Sequence, residues 1–275
     1  MNFRKFWFKY SRVIIGGTML LILILIALFA PAIASHDAAV DIHMKEALTP
    51  PSAEHLCGTD AMGRDVFARI VYGARVSLTI ALSVLVVIGV VGTVLGLLAG
   101  YYKWADRIIM RVMDGLMAFP SVVLALVILT ILGNGIPNLV LALSITQLPR
   151  VVRTVRTSVI SAKELEHVEA ARAMGASDFR ILFRYIFPLC VSQLIIRLTL
   201  TMGLTILNEA SLTFLGIGLD STTPSWGIIL SEARQFITTS PYLVYLPGIA
   251  IVWAVLAMNM LGDGLRDVLD PKLNS

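Results

Sequence analysis

The chain has 275 residues, of which 57% are hydrophobic and only 15% charged, and its net charge is +4. With a mean hydropathy of +0.84, it is too apolar and too poor in charge for a soluble globular enzyme. Short alternating strands of the kind that build a membrane barrel are absent, so the composition points to an all-α membrane protein.

Runs of about 20 apolar residues, the length that crosses the hydrocarbon core, place six transmembrane helices. They fall near Val13–Ala34, Ser77–Gly100, Ile108–Leu132, Pro137–Ile160, Leu189–Gly216 and Leu243–Leu261. This divides the chain into a tail and first anchor (1–35), an outer loop with an interfacial helix (36–76) and a five-helix core (77–275). Within the core, residues 161–188 form a polar island. The first run starts basic and ends in a small-residue pattern, Ala32-Ile33-Ala34. It is longer than a signal-peptide core and is read as an uncleaved anchor.

Lysine and arginine set the orientation. With the N-terminus inside, the inner segments hold Arg4, Lys5, Lys9, Arg12, Lys103, Arg107, Arg111, Arg150, Arg153, Arg156, Lys163, Arg172, Arg180, Arg184, Arg266 and Lys272. The outer segments hold only Lys45, Arg64, Arg69, Arg75 and Arg234. Both termini and the polar island are therefore expected in the cytoplasm. Cys57 and Cys190 then lie on opposite sides, and no disulfide is expected.

In the outer loop, Pro50-Pro51 predicts irregular chain and Gly58-Thr59-Asp60 a turn with a helix cap. Arg64–Arg75 has helical spacing. It reads either as a helix on the membrane surface or as the first turns of the second span. His36, His43, His55 and Cys57 lack the tight pairing of a zinc site, so no metal is expected.

Gly92, Gly96 and Gly100 repeat every four residues in the second span and predict close helix packing, within the bundle or against a partner. Four polar residues within spans are candidates for a pathway or a buried charge: Asp114, Arg197, Asn208 and Glu209. Asp114 lies three residues after Arg111, which predicts a pair on one helix face. Arg197 is placed toward the inner interface or the bundle interior. Glu209 either lines a hydrophilic path or satisfies a neighbouring helix.

The island has helix formers over Lys163–Met174. Gly175 suits a helix C-terminus, and Ser177 or Asp178 a cap for a second short helix through Arg184. The pattern predicts a helix–turn–helix elbow. Ala170, Ala171 and Ala173 permit close docking, Glu166 and Glu169 offer charge, and Phe179, Leu182 and Phe183 supply an apolar face.

Glu169-Ala170-Ala171, then Gly175 and Pro188, resemble the EAA motif of membrane subunits of ABC-type importers. Tyr185 and Phe187 stand where the family usually has Ile and Leu. The stretches His55–Asp65 with Tyr72–Arg75, Met110–Pro120, Leu212–Gly216 with Pro224–Gly227, and Asn259–Pro271 are similar to the dipeptide, oligopeptide and nickel permeases. The resemblance extends over residues 10–272 and implies a type I importer permease fold in a bacterial inner membrane. It implies a second homologous permease, two cytoplasmic ATP-binding subunits and an extracytoplasmic solute-binding protein as partners, and no nucleic acid. The coupling residues would be Glu166, Glu169, Ala170, Ala171, Gly175, Ser177 and Asp178.

Di- or oligopeptides are the first substrate expectation, and nickel or a metal chelate the alternative. No lysine follows a glycine, so the chain has no Gly-Lys-Ser/Thr phosphate loop. ATP and magnesium are expected on the partner ATPases, with no catalytic residue and no cofactor here. An ion-coupled secondary transporter would show more intramembrane charge and two inverted halves, and no clear repeat is visible.

Overall fold

The computed structural model describes residues 3–269, with side chains from Tyr10 onward. Lys272, the Asp270-Pro271 end of the tail motif, and the side chains of Arg4, Lys5 and Lys9 lie outside the described residues. Helices α1 (Phe3–Leu28), α2 (Ala30–Ile33) and α3 (His36–Val40) are followed by the long α4 (Val66–Tyr101). Next come α5 (Lys103–Met117), α6 (Ser121–Leu132), α7 (Ile136–Lys163), α8 (Glu166–Ala173) and α9 (Asp178–Arg180). A π-helical turn, Ile181–Ile186, leads into α10 (Phe187–Phe214), and α11 (Trp226–Ala233) and α12 (Tyr242–Leu269) close the chain. No named strand occurs among the described residues. A single bridge joins Thr59 and Asp65.

Helix α4 has 36 residues, about 54 Å at 1.5 Å per residue, and is the axis of the molecule. It begins at Val66 because the Asp65 carboxylate accepts the Ala68 N–H at 2.8 Å, an N-cap. The separate surface helix at 64–75 is thus not formed. Those residues are the first turns of α4, and the boundary drawn between 76 and 77 falls inside it. The cap is Asp65 rather than the Gly58–Asp60 turn.

One buried core joins α4, α6, α7 and α10 through Ile80, Val84, Leu129, Leu143, Val155 and Leu194. A second joins α1, α4, α10, α11 and α12 around Leu23, Leu78, Ile206, Trp226 and Met258. Helices α1 and α12 run antiparallel: a Cβ on Gly16 would lie 2.5 Å from Leu261 N, and one on Gly264 2.6 Å from Val13 N. The start of α1 and the end of α12 therefore lie at the end of the bundle where α8 sits, here called the elbow end.

The third span departs from expectation. It is two helices, α5 and α6, bent by 92°. Proline at 120 has no N–H to give and disfavours helical backbone at Phe119. The α5 segment carries Asp106, Arg107, Arg111 and Asp114, so only α6 is apolar along its length. At 12 residues, or about 18 Å, α6 is short of the roughly 30 Å hydrocarbon core.

Among the described residues, four helices are long and apolar enough to cross a membrane, or five if the bent pair is one span. Helix α7 has 28 residues but is not apolar enough, because Arg150, Arg153, Arg156 and Lys163 lie on it. Apolar side chains left bare on the bundle include Leu82, Val86, Val90 and Val94, one stripe of α4. The hydrophobic surface fits contact with lipid or another apolar helix.

Candidate functional site

The elbow is built from the end of α7, from α8 and from α9. Lys163 closes α7 and donates to the carbonyls of Gly100 and Tyr101 at 3.2 and 3.1 Å. A cation is thereby fixed on the negative C-terminal end of α4. Helix α8 turns its small inner face, Val168 and Ala171, into the core. It ends in a Schellman motif: Ala176 N–H bonds Ala171 O and Gly175 N–H bonds Arg172 O. That closure needs a left-handed residue, and Gly175 supplies φ +81°.

Ser177 then accepts the Arg180 N–H at 3.4 Å. The expected short second helix through Arg184 is not separate. α9 runs through the π-helical turn into α10, so the span and the elbow are one rod. Ile181, Leu182 and Ile186 of this rod are buried, while Phe179 and Phe183, which share the expected apolar face with Leu182, are exposed. Asp178 accepts the Tyr101 hydroxyl at 2.6 Å and the Tyr102 hydroxyl at 3.2 Å. The Arg172 guanidinium lies 5.9 Å from the Tyr101 ring centre.

The exposed surface left by these contacts carries Glu166, Glu169, Ala170, Gly175, Ser177 and Asp178. It also carries Met174, 79% exposed, and Phe179, 72% exposed. The rings of Phe179 and Phe183 are 4.5 Å apart. Ala171, in contrast, is 1% exposed: it seats α8 rather than offering itself to a partner. Sequence reading missed Met174, Tyr101, Tyr102 and the inward role of Lys163. The signal for the two tyrosines was their place at the end of an apolar run, where a polar-tipped ring is often anchored.

The three spaced glycines face α7. Virtual Cβ atoms on Gly92, Gly96 and Gly100 would lie 2.7, 2.6 and 2.5 Å from side-chain carbons of Val151, Val155 and Val159. The seam is internal, glycine into valine at every helical turn.

The four intramembrane polar residues are not brought together. Asp114 does not pair with Arg111; it accepts from Arg153 of α7 at 2.6 Å. The 92° bend swings α5 beside α7 and offers that partner. Glu209 is fully buried and accepts from Ser77 Oγ of α4 at 3.1 Å and Thr213 Oγ1 at 3.3 Å. It satisfies neighbouring helices. Asn208, beside it, is half-exposed. Arg197 is half-buried and donates from Nε to Thr154 Oγ1 at 3.0 Å.

Arg197 lines a cleft of about 820 Å3 with Gln193 and Leu189 from α10, Met117 from α5, and Arg150, Arg153, Thr157, Ser158 and Ser161 from α7. The cleft reaches Leu165 at the elbow.

At the opposite end, Asp60 and Glu232 hold Arg64 and Arg69. Arg64 Nε is 2.7 Å from Asp60 and its Nη2 2.7 Å from Glu232. Arg69 Nη1 is 2.6 Å from Glu232 and also bonds Asp60. Sequence reading missed this cluster because Glu232 is 163 residues from Arg69. Cys57 and Cys190 are both free thiols.

Residues 92–275 match the family described as binding-protein-dependent transport system inner membrane component. Full-length relatives agree. A glutathione transport system permease protein of Pectobacterium atrosepticum is 43% identical over 99% of this chain and 92% of its own length. A dipeptide transport system permease protein of Alkalihalophilus pseudofirmus is 45% identical over 97% of this chain and 88% of its own. A di/tripeptide transport system permease protein of Pseudomonas aeruginosa is 42% identical, covering 99% and 93%. An apolar helical bundle with an exposed elbow, matched in this way over its length, belongs to the family of binding-protein-dependent inner membrane transport permeases.

Proposed function

We propose that this permease is the pathway-forming subunit of an ATP-driven importer of small peptides. The observation that carries the proposal is the elbow. Glu166 and Glu169 on α8, with Met174 and Phe179 just beyond it, form an exposed surface on the link between two tied elements: Lys163 at the end of α7 holds the end of α4, and Asp178 at the start of the α10 rod accepts from Tyr101 of α4. Force applied to α8 is thereby passed to α4, α7 and α10 together. The chain has no phosphate loop of its own, so ATP and magnesium belong to two separate cytoplasmic subunits. Their closure on nucleotide moves the elbow and shifts the permease between inward- and outward-facing states. This puts both termini and the elbow in the cytoplasm, as the distribution of lysine and arginine supports.

A second permease subunit completes the pathway, and a solute-binding protein delivers cargo on the far side. Dipeptide, di/tripeptide and glutathione relatives, all named for short peptides, support a peptide cargo. Glu169 is a mechanical contact in this scheme, neither acid nor base. Glu169→Lys reverses the charge at the docking surface and leaves the buried face of α8 untouched. In reconstituted complexes it is expected to keep membrane insertion and to lower peptide-stimulated ATP hydrolysis and uptake at least tenfold, about 1.4 kcal/mol of coupling. Normal ATP-driven uptake by this variant would remove the elbow from the mechanism. Uptake that persists with inactive ATPases and collapses with the proton gradient would replace the mechanism with an ion-coupled one.

A further inference from the structure

The cleft beside the elbow has a charge pattern that the elbow does not explain. No aspartate or glutamate lines it. Of its three arginines, Arg153 is neutralised by Asp114 at 2.6 Å. The other two meet only neutral acceptors: Arg150 Nη1 donates to Gln147 Oε1 at 3.0 Å, and Arg197 Nε to Thr154 Oγ1 at 3.0 Å. No carboxylate comes within 4.0 Å of either guanidinium among the described residues. Each guanidinium has five N–H donors in a planar fork, and most of these remain for a ligand.

The two arginines are neighbours through Thr154, which lies one helical turn after Arg150 and donates to the Arg150 carbonyl at 2.9 Å. Both are half-buried and lie well along their helices. Arg150 follows the start of α7 at Ile136 by about 21 Å, and Arg197 follows the start of α10 at Phe187 by about 15 Å. Uncompensated cations at that depth are costly and are kept where they meet an ion or a polar pathway. Salt bridges answer the charge elsewhere on α7: Arg156 is held by Asp106 at 2.8 Å through its second nitrogen. The pair that lacks such an answer is the one facing the cleft.

A guanidinium fork matches a carboxylate in two parallel hydrogen bonds. The Gln193 side-chain amide on the same wall offers both the donor and the acceptor that a peptide amide needs. We infer that Arg150 and Arg197 form a carboxylate-reading site on the wall of the pathway, which takes the C-terminal carboxylate of a short peptide in transit. The site rests on the reading of the chain as a peptide permease and adds a recognition step within the membrane subunit.

The test uses the whole complex in nanodiscs, with Ser158→Cys placed in the cleft and the native thiols removed as Cys57→Ser and Cys190→Ala. The rate of modification by an anionic methanethiosulfonate is compared with that of a cationic one. The anionic reagent is expected to react about tenfold faster, as in a cleft lined by one sign of charge. Arg150→Gln and Arg197→Gln should each bring the ratio toward one. Millimolar Ala-Ala should slow modification, and Ala-Ala amide should not. Arg197→Lys, which keeps the charge and loses the fork, should retain the anionic preference and lose the protection. A ratio near one before any arginine is changed would overturn the proposal, since it means a partner's carboxylate already covers the site. Equal protection by the amide, or by neither peptide, would also overturn it. ATP-driven uptake of labelled dipeptide by the same complex in liposomes separates the two readings: uptake without anionic preference sinks the site alone, and preference with protection but no uptake sinks the transport reading alone.

Discussion

Asp65 serves two elements with its two oxygens. Oδ1 caps α4 through the Ala68 N–H, and Oδ2 lies 2.9 Å from His55 Nδ1. Glu46 lies 3.6 Å from the other ring nitrogen. The hydrogen bond to Asp65 raises the His55 pKa above its ordinary 6.5, against a smaller opposing effect of burial. The folded loop therefore binds the proton more tightly than the unfolded chain does. Its stabilisation is complete below about pH 6.5 and is lost as pH rises through the higher folded value. Between pH 6 and 8 the loop from Asp41 to Gly63 should become more open to protease, by about twofold for a partly exposed pair worth roughly 0.5 kcal/mol. Cleavage rates normalised to an unstructured peptide check this. His55→Gln should flatten the profile, and a slope that survives the substitution would assign the effect to another group.

At the scale of elements, the α4–α7 seam decides how closely these two core helices approach. Gly96 is the middle of the three positions. An alanine there gains about 1 kcal/mol of helix propensity. Its Cβ would sit 2.6 Å from Val155 Cβ and 3.0 Å from the Val152 carbonyl. The carbonyl is backbone and cannot step aside, and overpacking of this kind costs about 1–3 kcal/mol. Gly96→Ala should therefore lower thermal stability in detergent, with partial rescue by Val155→Ala. Gly115→Ala, with no atom within 4 Å of the new Cβ, should be neutral or stabilising. Equal behaviour of the two alanines would show that α4 and α7 are not held by this seam. The seam was legible in sequence because glycine spacing is local and periodic. So were four of the six expected apolar spans, those of α1, α4, α10 and α12, and the Gly175 turn. The bend at Pro120 was in view, yet the apolar count of α6 masked it. The partner of Asp114 and the place of Glu232 beside Arg64 and Arg69 were out of reach, since each depends on a helix packed from a distant part of the chain.

The whole molecule is clamped at both ends, by devices of different strength. At the elbow end Arg12 of α1 pairs with Asp267 of α12 at 2.9 Å, with side chains 62% and 38% exposed. Water already solvates both groups, so such a pair contributes about 0–1 kcal/mol, and the helices there are held by their glycine contacts instead. At the other end the loop, α4 and α11 meet at Asp60, Arg69 and Glu232, and the Arg69 side chain is only 1% exposed. Two cations and two anions balance there. The network is not saturated, because Arg69 Nε and Glu232 Oε1 are buried without a protein partner. Its weight lies in what its removal strands. Arg69→Met would leave Asp60 and Glu232 sharing the single charge of Arg64, and breaking a buried network in this way costs about 3–5 kcal/mol. Arg12→Ala strands nothing. The expectation is a large fall in unfolding temperature for Arg69→Met, a change within about 1 kcal/mol for Arg12→Ala, and selective exposure of the loop from Asp41 to Gly63 to protease in the first variant only. A small effect of Arg69→Met would mean that water enters beside Glu232 and solvates the cluster, and the loop would then be held by Asp65 and the contacts of Tyr242 with the Thr49 and Thr59 carbonyls at 3.1 Å.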